Sequence, residues 1–106
     1  MSDVVIVLTT TAEDRADELA RALVDERLAA CVNVLGTMMS TYRWKGRIER
    51  EPERQLLIKT HASRLAELEK KLRALHSYEL PEFIVLRPES VSAAYGTWVS
   101  DQTQML

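Results

Sequence analysis

His76, Tyr78, Glu79 and Glu82 fall inside the seven residues His76-Ser77-Tyr78-Glu79-Leu80-Pro81-Glu82. One imidazole with two carboxylates can hold Cu(II) or Zn(II), although a strong site wants three or four ligands in fixed geometry. The competing reading is structural. His76 ends a helical pattern, and a histidine at the negative end of a helix dipole caps that end. Local sequence favours the cap. Asn33 and Lys59 are polar residues inside apolar runs; on the uncovered face of a sheet they would line a cleft between subunits, and elsewhere they would be surface positions. Trp98 has the same two readings, a ring for ligand stacking or for packing. Cys31, the sole cysteine, is read as a small core thiol rather than a metal or redox ligand.

The familiar catalytic patterns are missing. Glycines at 36, 46 and 96 cannot form GxGxxG or GxxxxGK[ST], and no HExxH, CxxC or GxSxG occurs. A conventional enzyme is therefore not expected.

Composition narrows the remaining classes. The 106 residues have room for a single domain, 1–106, burying roughly 60 to 70 % of the unfolded chain's surface. At 46 % hydrophobic and 28 % charged the chain is that of a folded globular protein, and its net charge of −2 argues against a general nucleic-acid binder. A single cysteine suits a reducing compartment. The apolar run Val4 to Leu8 follows Ser2-Asp3 and is shorter than a secretory h-region of roughly 7 to 15 residues. Nothing approaches the roughly 20 apolar residues of a membrane span. The expectation is a cytoplasmic protein with no membrane or nucleic-acid partner.

The elements that must position these residues follow from periodicity. Val4 to Leu8 is a β-branched run fit for a central strand. Thr11 offers a helix cap, and Ala16, Leu19, Ala20, Leu23, Val24 and Leu28 mark an amphipathic helix of about four turns. Ala30 to Trp44 reads as one long strand kinked or bulged near Gly36, turned at Lys45-Gly46. The return runs from Arg47 to Thr60, with Pro52 marking a bulge or an edge. Ser63 caps a second helix with Leu65, Leu68, Leu72 and Leu75 on one stripe. Phe83 to Leu86 is the last strand, and Val91 to Val99 a short last helix.

This order is α+β: a ferredoxin-like βαββαβ sandwich with a long central hairpin and a short C-terminal helix. Such a sheet leaves one face uncovered, and exposed apolar surface of that kind marks an interface. An oligomer held through the open face and hairpin is expected. In Ser40-Thr41-Tyr42-Arg43-Trp44-Lys45-Gly46-Arg47 the aromatics Tyr42 and Trp44 share one face at period two, with Arg43 on the other. Interleaved aromatics and cations also suit RNA, and RNA-recognition modules share this element order. Their third strand carries stacked aromatics, whereas Gln55 to Thr60 has none.

Taken together, Ala29-Ala30-Cys31-Val32-Asn33, Tyr42-Arg43-Trp44-Lys45-Gly46, Leu57-Ile58-Lys59-Thr60, His76 to Glu82, and Tyr95 with Trp98 resemble the CutA family of divalent-cation tolerance proteins. The resemblance runs in order from about Val4 to Trp98. It implies a trimer related in architecture to the PII signalling proteins, with Tyr42 and Trp44 at the subunit contact. It also implies binding of copper or another divalent cation, with His76 and Glu79 as the metal candidates. Asn33, Lys59, Tyr78, Glu82 and Trp98 are candidates for an inter-subunit cleft. The chain departs from the family where some members carry a cysteine and a histidine pair, since Thr9 and Leu75 are not ligand types. Ser77 replaces a usual proline, and Gly36-Thr37 a usual Pro-Gly. Two other functions stay open: a PII-like binder of a small anionic metabolite, with Lys59 and Arg43 as contacts, and a purely structural trimer.

Overall fold

The first strand outruns its β-branched core. In the computed structural model, which describes residues 3–104, β1 spans Val4–Ala12 and pairs along its whole length with β4, Arg47–His61. Thr11 is therefore a buried strand residue opposite Arg54, and the expected cap is not there. Long-range pairing with β4 outweighs the local capping signal. α1, Ala16–Asp25, instead begins after a turn in which Arg15 N–H donates to the Ala12 carbonyl at 3.0 Å. It is also shorter than expected. Arg27, at φ 58°, turns the chain out of the helix, and Leu28 reaches the core beyond that turn.

The expected kink is a bulge. β2, Cys31–Val34, and β3, Met38–Trp44, both pair antiparallel with β4. Val34 faces Leu56, Leu35 N–H donates to the Gln55 carbonyl at 3.0 Å, and Met38 faces Glu53. Gly36 and Thr37 thus stand together opposite Arg54, whose Nε donates to the Leu35 carbonyl at 2.8 Å. At the hairpin tip Lys45 (φ 49°) and Gly46 (φ 79°) make the two-residue turn. Pro52 lies at an edge. Ala12 of β1 stops opposite Glu53, so from Pro52 to the tip β4 is paired only with β3, and a residue without an N–H fits there.

His61 leads into a 3-10 turn at Ala62–Arg64, accepting the Ser63 N–H at Nδ1 (3.1 Å). Ser63 is thus the capped residue rather than the cap. α2 spans Leu65–Leu75, β5 Ile84–Leu86 and α3 Ala93–Gln102. α3 starts at Ser92, whose Oγ accepts the Tyr95 N–H. Among the described residues no helix is long and apolar enough to cross a membrane. The expected single domain 1–106 includes residues 1–2 and 105–106, which lie outside the described residues.

With β2 and β3 together forming one edge, the order β2-β4-β1-β5 is the ferredoxin-like arrangement. One face is covered: Val7, Leu56 and Ile58 pack with Leu19 and Leu23 of α1 and Leu68 and Leu72 of α2. On the opposite face the register sets Leu86, Ile6, Lys59 and Cys31 abreast, with Ile84, Leu8, Leu57 and Asn33 in the next row. Ile84 and Leu86 are 46 % and 45 % exposed. α3 packs at the Val4 end, where Val99 meets Val4 and Ala30.

Candidate functional site

At the other end of the sheet the hairpin projects past β1 and leaves a cleft of about 1160 Å³ between itself and the segment that joins α2 to β5. Its hairpin wall is set by strand alternation. Met38, Ser40, Tyr42 and Trp44 of β3 share a face with Glu51 and Glu53 of β4. The facing wall runs from Tyr78 to Ile84, and Thr10, Glu13, Asp14 and Gln55 form the floor and rim.

His76 anchors the facing wall. Its N–H closes α2 on the Leu72 carbonyl at 2.8 Å, so it is a helix C-cap residue as its position indicated. The ring turns elsewhere. Nε2 lies 2.7 Å from the Thr10 carbonyl, and Nδ1 accepts the Tyr78 N–H at 3.0 Å. A carbonyl only accepts and an N–H only donates, so the ring is the neutral tautomer protonated at Nε2. Both nitrogens are engaged. Tyr78, whose ring centroid is 4.7 Å from that of His76, donates its hydroxyl to Glu53 Oε2 at 2.7 Å. A second link runs from Gln55 Nε2, which donates to the Thr9 carbonyl at 2.7 Å and to Glu82 Oε2 at 3.0 Å.

The electrostatics are one-sided. Six carboxylates, those of Glu13, Asp14, Glu51, Glu53, Glu79 and Glu82, line the cleft, and no lysine or arginine does. Desolvation raises the Tyr42 phenol above its usual pKa, with Glu51, Glu53 and Glu49 adding to it. Tyr78 is raised much further, by desolvation first and then by its bond to Glu53. At the rim the Lys45 ammonium lies 3.7 Å from Glu79 and 5.7 Å from the Trp44 ring centroid.

The residues singled out in the sequence are dispersed by the structure. Tyr42, Trp44, Tyr78, Glu79 and Glu82 all line the cleft. Asn33 and Lys59 share the open face, one row apart, but do not line it. Arg43 lies on the hairpin's other face, opposite Ile48. Trp98 is 42 % exposed on α3, its ring 5.6 Å from that of Tyr95. Cys31 is half-buried on the open face, its thiol 3.9 Å from Asn33 Oδ1, rather than deep in the core. Thr9 is fully buried, and its hydroxyl has no hydrogen-bond partner among the described residues.

A preformed copper centre does not fit this arrangement. His76 has no free ring nitrogen, and among the described residues no three His, Cys, Asp or Glu side chains gather as a metal centre requires. Glu51, Glu53 and Gln55 were missed by motif reading. Their signal was the alternation Glu49, Glu51, Glu53, Gln55 along β4, which puts four polar side chains on one face.

Comparison with known proteins agrees with this architecture. Residues 4–102 match the family model for CutA1 divalent ion tolerance protein. The divalent-cation tolerance protein CutA of Thermus thermophilus is 37 % identical over 99 residues, covering 93 % of this chain and 96 % of that one. The crystal structure of CutA from Xylella fastidiosa superposes with a TM-score of 0.93 at 42 % identity, over 97 % of this chain and 100 % of the other. The PII-like protein CutA from Nostoc sp. PCC 7120, in apo form, gives 0.90 at 33 % identity, over 96 % and 99 %. The chain spans about half the length of the mouse and human relatives it matches. The chain belongs to the CutA1 family of divalent ion tolerance proteins.

Proposed function

We propose that this chain is a cytoplasmic, non-enzymatic divalent-cation tolerance protein that works as a homotrimer and collects cations in the cleft beneath its hairpin. The observation that carries this reading is the charge of the cleft, six lining carboxylates with no lining lysine or arginine. A concave, low-dielectric wall of one sign concentrates ions of the opposite sign. Attraction by this field, rather than by a preformed chelate, is how copper or another divalent cation is held. Carboxylate oxygens suit hard cations such as Mg(II) and Mn(II) at least as well as Cu(II). The anionic-metabolite alternative concerns a different place, a cleft between subunits, since its contacts Lys59 and Arg43 lie outside this one.

The trimer reading draws on the open face and on the family. Ile84 and Leu86 stay exposed beside half-buried Ile6, Leu8 and Leu57, an apolar surface with no cover in one subunit. Tyr42 and Trp44 would meet the neighbouring subunit and enclose the cleft.

Titration calorimetry with Cu(II) and Mg(II), on the wild type and on a Glu51→Gln/Glu79→Gln variant, tests the cation reading. Saturable binding weakened in the variant is expected, and no saturable binding in either protein removes it. Native mass spectrometry tests the trimer, and a monomer at every concentration sinks that part.

A further inference from the structure

The carboxylates of the cleft are spread out rather than gathered, and much of the remaining wall is aromatic. We propose that the cleft binds a linear polyamine, its ammonium groups against Glu51, Glu53 and Glu79 and its methylenes along Tyr42, Trp44 and Tyr78. The inference rests on the cation-attracting cleft argued above and changes the kind of cation.

Four observations carry it. A metal ion needs donors converging on one point, and no three ligating side chains converge among the described residues. A chain of separated charges needs the opposite, acceptors at intervals along a wall. Next, the cleft of about 1160 Å³ is on the scale of organic-ligand sites, far beyond the room one ion fills. Aromatic faces attract ammonium groups and cover methylenes, which a hydrated metal ion does not use.

The chain's own Lys45 supplies the third observation. Its primary ammonium, on a methylene stem, lies 3.7 Å from Glu79 and 5.7 Å from the centroid of Trp44. A tethered alkylammonium thus already makes both kinds of contact at the rim. The fourth is Glu53. It is only 7 % exposed, yet it lines the cleft, and the Tyr78 hydroxyl holds it there by donating to Oε2 at 2.7 Å. A carboxylate fixed in place on the wall of a cavity is a pre-positioned acceptor for an ammonium group.

Calorimetry of the full chain with spermidine, at an ionic strength of about 0.15 M, tests the proposal. Saturable binding is expected, weakened about tenfold in each of Glu51→Gln and Trp44→Leu, both checked for folding by circular dichroism and for assembly by native mass spectrometry. Absence of saturable spermidine binding overturns it, as does equal binding by wild type and both variants. Titration with Mg(II) and Cu(II) separates the two readings. Metal binding without spermidine binding overturns the polyamine and leaves the cation reading standing. Spermidine binding without metal binding supports the polyamine and removes the metal.

Discussion

The Tyr78 hydroxyl donates to Glu53 Oε2 across 2.7 Å, tying the segment after α2 to the base of the hairpin. Desolvation and this bond raise the phenol's pKa well above its usual value. A raised value means the folded state keeps a proton that the unfolded chain gives up near pH 10. The stabilisation is whole below about pH 10 and is lost as pH climbs from there through the folded-state value. Urea unfolding at about pH 9 and about pH 11 is expected to show a larger loss for the wild type than for Tyr78→Phe.

Near neutral pH the same substitution leaves the buried Glu53 carboxylate short of a donor. Hydrogen bonds to charged groups are worth about 1.5 to 3 kcal/mol, and Tyr78→Phe is expected to lower stability by that much in urea titration at constant m-value.

His76→Ala removes two hydrogen bonds, to the Thr10 carbonyl and from the Tyr78 N–H. The expected cost is about 1 to 3 kcal/mol. Amide hydrogen exchange is the sharper measurement: the Tyr78 N–H loses protection while Leu68 and Leu72, in the core, keep theirs. Unchanged exchange at Tyr78 would show that the ring does not hold this wall.

Thr9 points the other way. Its buried hydroxyl lacks a partner among the described residues, so Thr9→Val exchanges an unsatisfied group for a methyl of similar size. A gain of about 1 kcal/mol is expected, read as a melting temperature higher by roughly 4 to 8 °C. A loss would reveal a partner for the hydroxyl.

Gly46 sits at φ 79° with open space around it. Gly46→Ala is expected to cost about 1 to 2 kcal/mol from backbone strain alone, and chemical denaturation measures it.

The architecture was legible because its signals are local and repeated: β-branched runs, leucines at helical spacing, and the Lys45-Gly46 turn. The helix starts were not. Thr11 and Ser63 are good caps by type, but β4 extends the pairing of β1 through Thr11, and His61 takes the capping role at the second helix. The site was half legible. Tyr78, Glu79 and Glu82 were found as a cluster in sequence, while Glu51, Glu53 and Gln55 reach the same cleft from a distant strand. Nor could sequence show that His76 spends both nitrogens on the backbone, since Thr10 is its partner only after β1 and α2 are packed.

Gly36 and Thr37, facing Arg54 alone, act as a frameshift written into the sheet. On β2 the odd-numbered side chains, Cys31 and Asn33, look out from the open face; past the extra residue the even-numbered ones, Tyr42 and Trp44, look into the cleft. Loss of a single codon there would take out the extra residue without exchanging the faces of β3, because the two-residue turn at Lys45-Gly46 keeps Trp44 opposite Arg47 and Met38 opposite Glu53. Tyr42 and Trp44 would still look into the cleft. To bring Thr41 and Arg43 inward the count has to change at the tip, between Trp44 and Arg47, so the lining of this cleft is set by the length of its turn as much as by the identity of any side chain within it.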